Sequence, residues 1–344
     1  MFGALLKKQP LAGICAIDSN SAGISIARIT HQLDNPVLEQ CDFYPAAADS
    51  SLQLNQLTVQ HQLDAYKCVS LLNREGYQLL MMDAPPVPKE EMKLALRWRI
   101  KDLIDTPVTD ITLDAFDVPP PRGSANSSSV YVVAAKNDTL HRHSEKLTDA
   151  NINLQIIDIM ELAQRNIANL LADNDNGVAL LSLQPGNGLI TLSKAGKLYL
   201  SRPINIELEQ ALPTASAITE TQDTNNNELF DPELELHLDI DLSLDNQIDS
   251  TVAYDHVALE LQRSLDYYES NFRQTPIRKL YLAPTLRELP GFSKYIKDNL
   301  NIEVELLDLN NLFHSETKIP WEIQAHAFFA IGAALHRIDD EPGN

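Results

Sequence analysis

Gly13-Ile14-Cys15-Ala16-Ile17-Asp18-Ser19-Asn20-Ser21-Ala22-Gly23-Ile24-Ser25-Ile26 reads as apolar strand, polar turn, apolar strand. The first strand ends on a carboxylate, Asp18, and the turn is made of small residues. This order suits a phosphate: the N–H groups of a tight turn form an anion-binding concavity, and a carboxylate orders the shell of a Mg²⁺ ion. Asp18, Asn20 and Ser21 are therefore candidate cofactor-binding residues. A simpler reading stands beside this one, in which Asp18 hydrogen-bonds its own turn.

A second stretch has the same plan. Val178-Ala179-Leu180-Leu181-Ser182-Leu183, the turn Gln184-Pro185-Gly186-Asn187-Gly188 and Leu189-Ile190-Thr191-Leu192 again give strand, turn, strand. The chain has 344 residues, enough for two core-bearing lobes.

The formal net charge is -21. That argues against a nucleic-acid surface, which needs a basic stripe, and against broad docking on anionic lipid. It would attract a basic partner segment. Cys15, Cys41 and Cys68 form no C-x-x-C pair and give no disulfide framework, which fits a reducing, cytoplasmic compartment. No apolar run approaches the roughly 20 residues of a membrane span. No cleavage site precedes Asp18, so the N-terminus does not read as a signal peptide.

Between the hairpins lies a distinct block, taken here as 85–160. Pro85-Pro86-Val87-Pro88 is a stiff stop. Lys89 to Ile104 then places Met92, Leu96, Ile100 and Leu103 at helical spacing, which predicts one apolar face. Ile111 to Val118 alternates as a strand, Val130 to Ala135 is a buried strand, and a polar helix leads to a strand at Leu154–Ile159. Trp98 and Trp321 read as core residues. Leu234 to Asp245 alternates Leu or Ile with Glu, Asp or His, which predicts a strand with one acidic face within an insert at about 205–250. Residues 211–227, rich in Thr, Ala and Asn, read as disordered. Asp255 to Arg273 and Trp321 to Arg337 read as helices.

Ala95-Leu96-Arg97-Trp98, Ile104-Asp105-Thr106-Pro107, Val132-Val133-Ala134-Ala135, Ile156-Ile157-Asp158-Ile159, Arg263-Ser264-Leu265-Asp266-Tyr267-Tyr268 and Leu289-Pro290-Gly291-Phe292 occur in this order along nearly the whole chain. In this the chain resembles the PilM family of type IV pilus biogenesis proteins, most of all the branch serving mannose-sensitive haemagglutinin (MSHA) pili. The resemblance implies an α/β, actin-like (ASKHA, FtsA/PilM-type) two-lobed fold with an inserted small α/β subdomain. The implied division is 1–84 for the first part of lobe one, 85–160 for the insert, 161–176 for a connecting helix and 177–344 for lobe two.

The same resemblance implies a nucleotide pocket, and this chain departs from it. Asp18 and Ser21 match the first phosphate loop. Asn20 stands at the family's glycine and Ser25 at its lysine. In the second loop Ser182 stands at the Asp position and Gln184 at the Gly position, with Gly186 and Gly188 as partial substitutes. Ala283-Pro284-Thr285 replaces the paired glycines of the adenosine loop, and proline offers no N–H. Losing a lysine and a Mg²⁺-organising carboxylate removes stabilisation that phosphoryl transfer depends on. The expectation is a pseudo-ATPase: no catalytic residues, no resident metal or cofactor, and ATP with Mg²⁺ disfavoured. The alternative is an active actin-like ATPase that switches partner affinity.

The implied partner is the cytoplasmic N-terminal tail of a PilN-like bitopic inner-membrane protein, with other platform proteins beside it. It would dock in a groove between the first lobe and the insert, placed here near Met92, Leu96, Arg99 and Ile100. The protein would then be cytoplasmic and held at the inner membrane through its partner.

Overall fold

The two hairpins open two sheets of one and the same strand order. In a computed structural model, residues 11–32, 35–123, 129–184, 187–204, 242–313 and 317–336 are described. The chain runs β1 (Leu11–Ser19), β2 (Gly23–Gln32), β3 (Asn35–Pro45), α1 (Ser50–His61), β4 (Tyr66–Leu71) and β5 (Tyr77–Asp83). It continues through α2 (Lys89–Arg99), β6 (Ile111–Val118), β7 (Ser129–Lys136), α3 (Asn137–Asp149), β8 (Leu154–Asp158) and α4 (Met160–Ala168). The second half holds β9 (Val178–Gln184), β10 (Asn187–Lys194), β11 (Lys197–Ile204), α5 (Leu242–Phe272), β12 (Lys279–Leu282), α6 (Phe292–Leu300), β13 (Glu303–Leu306) and α7 (Trp321–Ala334).

The first sheet has the order β3-β2-β1-β4-β8 and the second β11-β10-β9-β12-β13. In each, three strands meander antiparallel and two more join parallel to the first strand. The parallel strands are reached through helical crossovers, as parallel pairing requires. The lobes share one core. Ile14, Ala16 and Val69 of the first sheet and Val178, Leu180 and Tyr281 of the second pack around α4 and α7. The sequence of α7, Trp-Glu-Ile-Gln-Ala-His-Ala-Phe-Phe-Ala-Ile-Gly-Ala-Ala, is apolar nearly all round, the mark of a helix enclosed on every side.

A third sheet, β5-β7-β6, forms the subdomain. One face carries α2, where Leu96 and, just past the helix end, Ile100 are fully buried against Ile111, Leu113, Val130 and Val132. The other face turns to the second lobe through Leu79, Met81, Phe116 and Tyr131, and the Tyr131 hydroxyl accepts the Ser201 N–H at 3.0 Å.

Several expectations change here. The three-stranded sheet spans 77–136, and β8 joins the first sheet rather than the expected 85–160 block, because its register partner is β4. Leu96 and Ile100 are core residues of the subdomain, so neither presents a face to a partner; Met92 is half-buried and Arg99 is exposed, donating to the Asp83 carbonyl at 2.9 Å. Leu103 leaves the apolar face, because α2 gives way to a 3₁₀ turn at Ile100–Asp102 that rotates it outward. Trp98 is 66% exposed and Trp321 39% exposed, so neither is a core residue. Leu242 to Asp245 are helical, the first turn of α5, where a strand was expected. The rest of the acidic alternation, the 211–227 stretch and Gly186 lie outside the described residues.

The exposure of Trp98 and the enclosure of Leu96 set opposite expectations on one helix. Trp98→Ala should change unfolding free energy by no more than about 0.5 kcal/mol, the range of plain surface changes. Leu96→Ala should cost about 2–5 kcal/mol. Urea unfolding of both variants checks the pair; equal losses would contradict the orientation of α2.

Candidate functional site

The β1–β2 turn faces the end of β9 and α7 across a cleft of about 270 Å³. Asp18, Asn20 and Ser21 enter from the first turn, Asn73, Arg74 and Glu75 from the turn after β4, Gln184 from β9, and Ala325 and His326 from α7. Asp18, Asn20 and Ser21 are thus brought together as expected. Ser182, Gly188 and Pro284 are buried and do not line this cleft.

Several polar groups around this turn and on β9 bond within the protein. The Asn20 side-chain oxygen accepts the N–H of Ala22 at 2.9 Å and that of Gly23 at 3.3 Å. Two turn amides that could bind an anion thus cap a side chain, and Asn20 N–H closes the turn on the Gly23 carbonyl at 2.9 Å. Ser25, directly across the ladder from Asp18, donates its hydroxyl to the His326 carbonyl at 2.9 Å. Ser182 donates to Gln164 Oε1 at 2.8 Å, and Gln164 Nε2 donates to the Leu180 carbonyl, a closed buried network on α4 and β9. Gly188 is small for packing: a Cβ there would stand 3.1 Å from Ile204 Cβ.

Asp18 itself is 6% exposed and belongs to no ion pair among the described residues. Burial pushes its carboxyl up to about 6, and a hydrogen bond with Asn20 offsets part of that rise. The cations nearby are otherwise held. Arg74 donates to the Tyr77 carbonyl at 3.3 Å, lies over the Tyr77 ring and approaches Glu161 at 3.9 Å. His326 stacks flat on Phe43 at 3.6 Å between centroids, and burial holds its pKa below the usual histidine value.

A second concavity separates the first lobe from the subdomain. Two cavities, of about 230 and 420 Å³, share Glu75, Gly76, Thr139 and Arg142 and so form one trough. One wall is α3, where Thr139, Arg142, His143 and Lys146 follow helical spacing; the other is the segment 72–78 that leads into β5. At its floor Ser70 Oγ and His143 Nε2 are 3.0 Å apart. Of the expected partner-binding residues, Met92, Leu96, Arg99 and Ile100, none lines this trough. The polar spacing of α3 is the signal that the sequence offers for this trough.

No family model and no curated protein matches the chain. Among solved structures it is similar to one described as a PilM-PilN type IV pilus biogenesis complex, with a TM-score of 0.66 at 18% identity over 95% of this chain and 98% of that one. It is also similar to the cytoplasmic domain of EpsL, an inner membrane component of the type II secretion system of Vibrio cholerae (TM-score 0.46, 9% identity, 92% and 94% covered). A third is a Bacteroides thetaiotaomicron protein with an actin-like ATPase fold and unknown function (TM-score 0.46, 11% identity, 95% and 98% covered). The fold is actin-like.

Proposed function

We propose that this chain is a PilM-like scaffold of the inner-membrane platform that assembles a type IV pilus, in particular an MshI-like member serving an MSHA pilus. It holds the cytoplasmic N-terminal tail of a PilN-like membrane protein in the trough between the first lobe and the subdomain. The observation that carries this reading is the end-to-end likeness to the PilM-PilN complex. The trough supports it by lying between the first lobe and the subdomain and reaching β5, an edge strand of its sheet, to which an extended peptide could add backbone bonds. The chain's net charge of -21 would steer a tail carrying juxtamembrane Lys or Arg. Among the described residues no helix is long and apolar enough to cross a membrane, so attachment through the partner accounts for a membrane location.

The reading includes a nucleotide pocket that no longer works, supported by the turn amides bound to Asn20 and by Ser182 bound to Gln164. The competing reading, an ATPase that switches partner affinity, is favoured by one observation: Asp18 still faces the cleft. Isothermal titration with ATP, with and without Mg²⁺, decides between them. The expected result is no heat of binding in the unmodified protein or in Asp18→Ala. Mg²⁺-dependent binding that vanishes with Asp18→Ala would establish the switch instead.

A further inference from the structure

The trough carries charge of the sign opposite to that of the protein around it. Lys136, Arg142 and Lys146 line it, and Glu75 is the one carboxylate among its described lining residues. The chain has 48 acidic and 27 basic residues, so a surface with three cations to one carboxylate runs against its overall balance. Arg28, Lys93, Arg202, Arg263, Lys279 and Lys297 each pair with one. The three trough cations take part in no ion pair among the described residues. Arg142 reaches only the Asp138 carbonyl, at 3.3 Å through Nε, which leaves its two terminal nitrogens for a ligand.

Arg142 and Lys146 sit four residues apart on α3 and so present one edge. Apolar side chains lie beside them, Leu54, Leu72 and Leu147 in one cavity and Ile104 and Ile111 in the other. A fork of N–H donors matches a carboxylate, and a row of apolar pockets matches alternate side chains of an extended strand.

Given the docking reading above, on which this rests, we infer that the trough selects a peptide segment bearing Asp or Glu between apolar residues, with Arg142 and Lys146 as partners of that carboxylate. The tail would then have two zones: a basic zone that the acidic body attracts at long range, and an acidic-apolar zone that seats in the trough.

Selection of a displayed library of random ten-residue peptides on the immobilised full chain tests this. Selected peptides are then titrated by fluorescence anisotropy against the unmodified protein, Arg142→Gln/Lys146→Gln and Thr139→Trp, the last of which fills the trough from its wall. The expected result is enrichment of Asp and Glu among apolar residues. Binding should weaken about ten- to a hundred-fold in the double variant, the loss of charge-assisted hydrogen bonds, and the parent's salt sensitivity should weaken with it. Peptides that lose binding in Thr139→Trp but show no acidic preference would overturn the charge inference and leave the docking reading standing. Peptides insensitive to both variants, or no selected peptides, would overturn the two together. The substituted side chains are at the surface or half-buried, and circular dichroism with a urea midpoint verifies that each variant is folded.

Discussion

Gly332→Ala is expected to destabilise the protein by about 2 kcal/mol or more, although the same change in an exposed helix would stabilise it by about 1 kcal/mol. Gly332 lies in α7 where that helix crosses α4. A Cβ at this position would overlap the carbonyl oxygen of Ala163 and stand 2.7 Å from its carbonyl carbon. Backbone atoms cannot rotate away as a side-chain end can, so the two helices must separate. Separation opens the seam between α4 and α7 and breaks the bond from Asn166 Nδ2 to the Gly332 carbonyl, 3.0 Å long. Because this seam belongs to the core that both sheets share, the loss should appear in the global transition and not as fraying of one lobe. Urea unfolding followed by two probes checks it. A variant as stable as the parent, or more so, would mean that α4 and α7 do not meet at Gly332.

The repeat of strand, small-residue turn and strand was legible because buried strands and tight turns leave composition marks that need no partner to interpret. The same order of strands around Asp18 and around Ser182 follows from it. The subdomain was legible in its elements and misread in its orientation. Met92, Leu96 and Ile100 do form one apolar face, but periodicity says that a face is covered and not by what; here the cover is the subdomain's own sheet. Trp98 was assigned inward on residue type, whereas its position on α2 lies opposite that face. The lining of the groove expected between the first lobe and the insert was not legible for a different reason. Its walls, the segment 72–78 and α3, are separated by some sixty residues of sequence and meet only because β8 returns to pair with β4. The hydrogen bonding around the cleft was half legible. Ser182 and Ser25 could be seen as departures, but the capture of the Ala22 and Gly23 amides by Asn20 is a geometric fact that no spacing encodes.

Asp18→Asn is expected to stabilise the protein by about 2–3 kcal/mol at pH 7.5, and the gain should fade on acidification. The carboxyl titrates near 3.8 when free and at about 6 in the folded protein, raised by burial. Between these values the folded state binds more protons than the unfolded one, so stability falls as pH rises through the window. Above about pH 6 the full penalty of a buried charge is present, about 3 kcal/mol for this rise. Asparagine keeps the shape without the charge and escapes the penalty. Urea midpoints of parent and variant should therefore differ most at pH 7.5 and converge toward pH 4. Equal midpoints at pH 7.5 would mean that the carboxylate is solvated or paired and that its enclosure in the cleft is wrong. The comparison also bears on why an aspartate stays there at a cost. A ligand that binds only the folded state raises its stability. If Mg²⁺ and ATP lift the parent's midpoint and leave that of Asp18→Asn unmoved, the buried charge is a cation site and the switch reading prevails. If neither midpoint moves, the charge has no ligand to offset it and the protein acts through its trough.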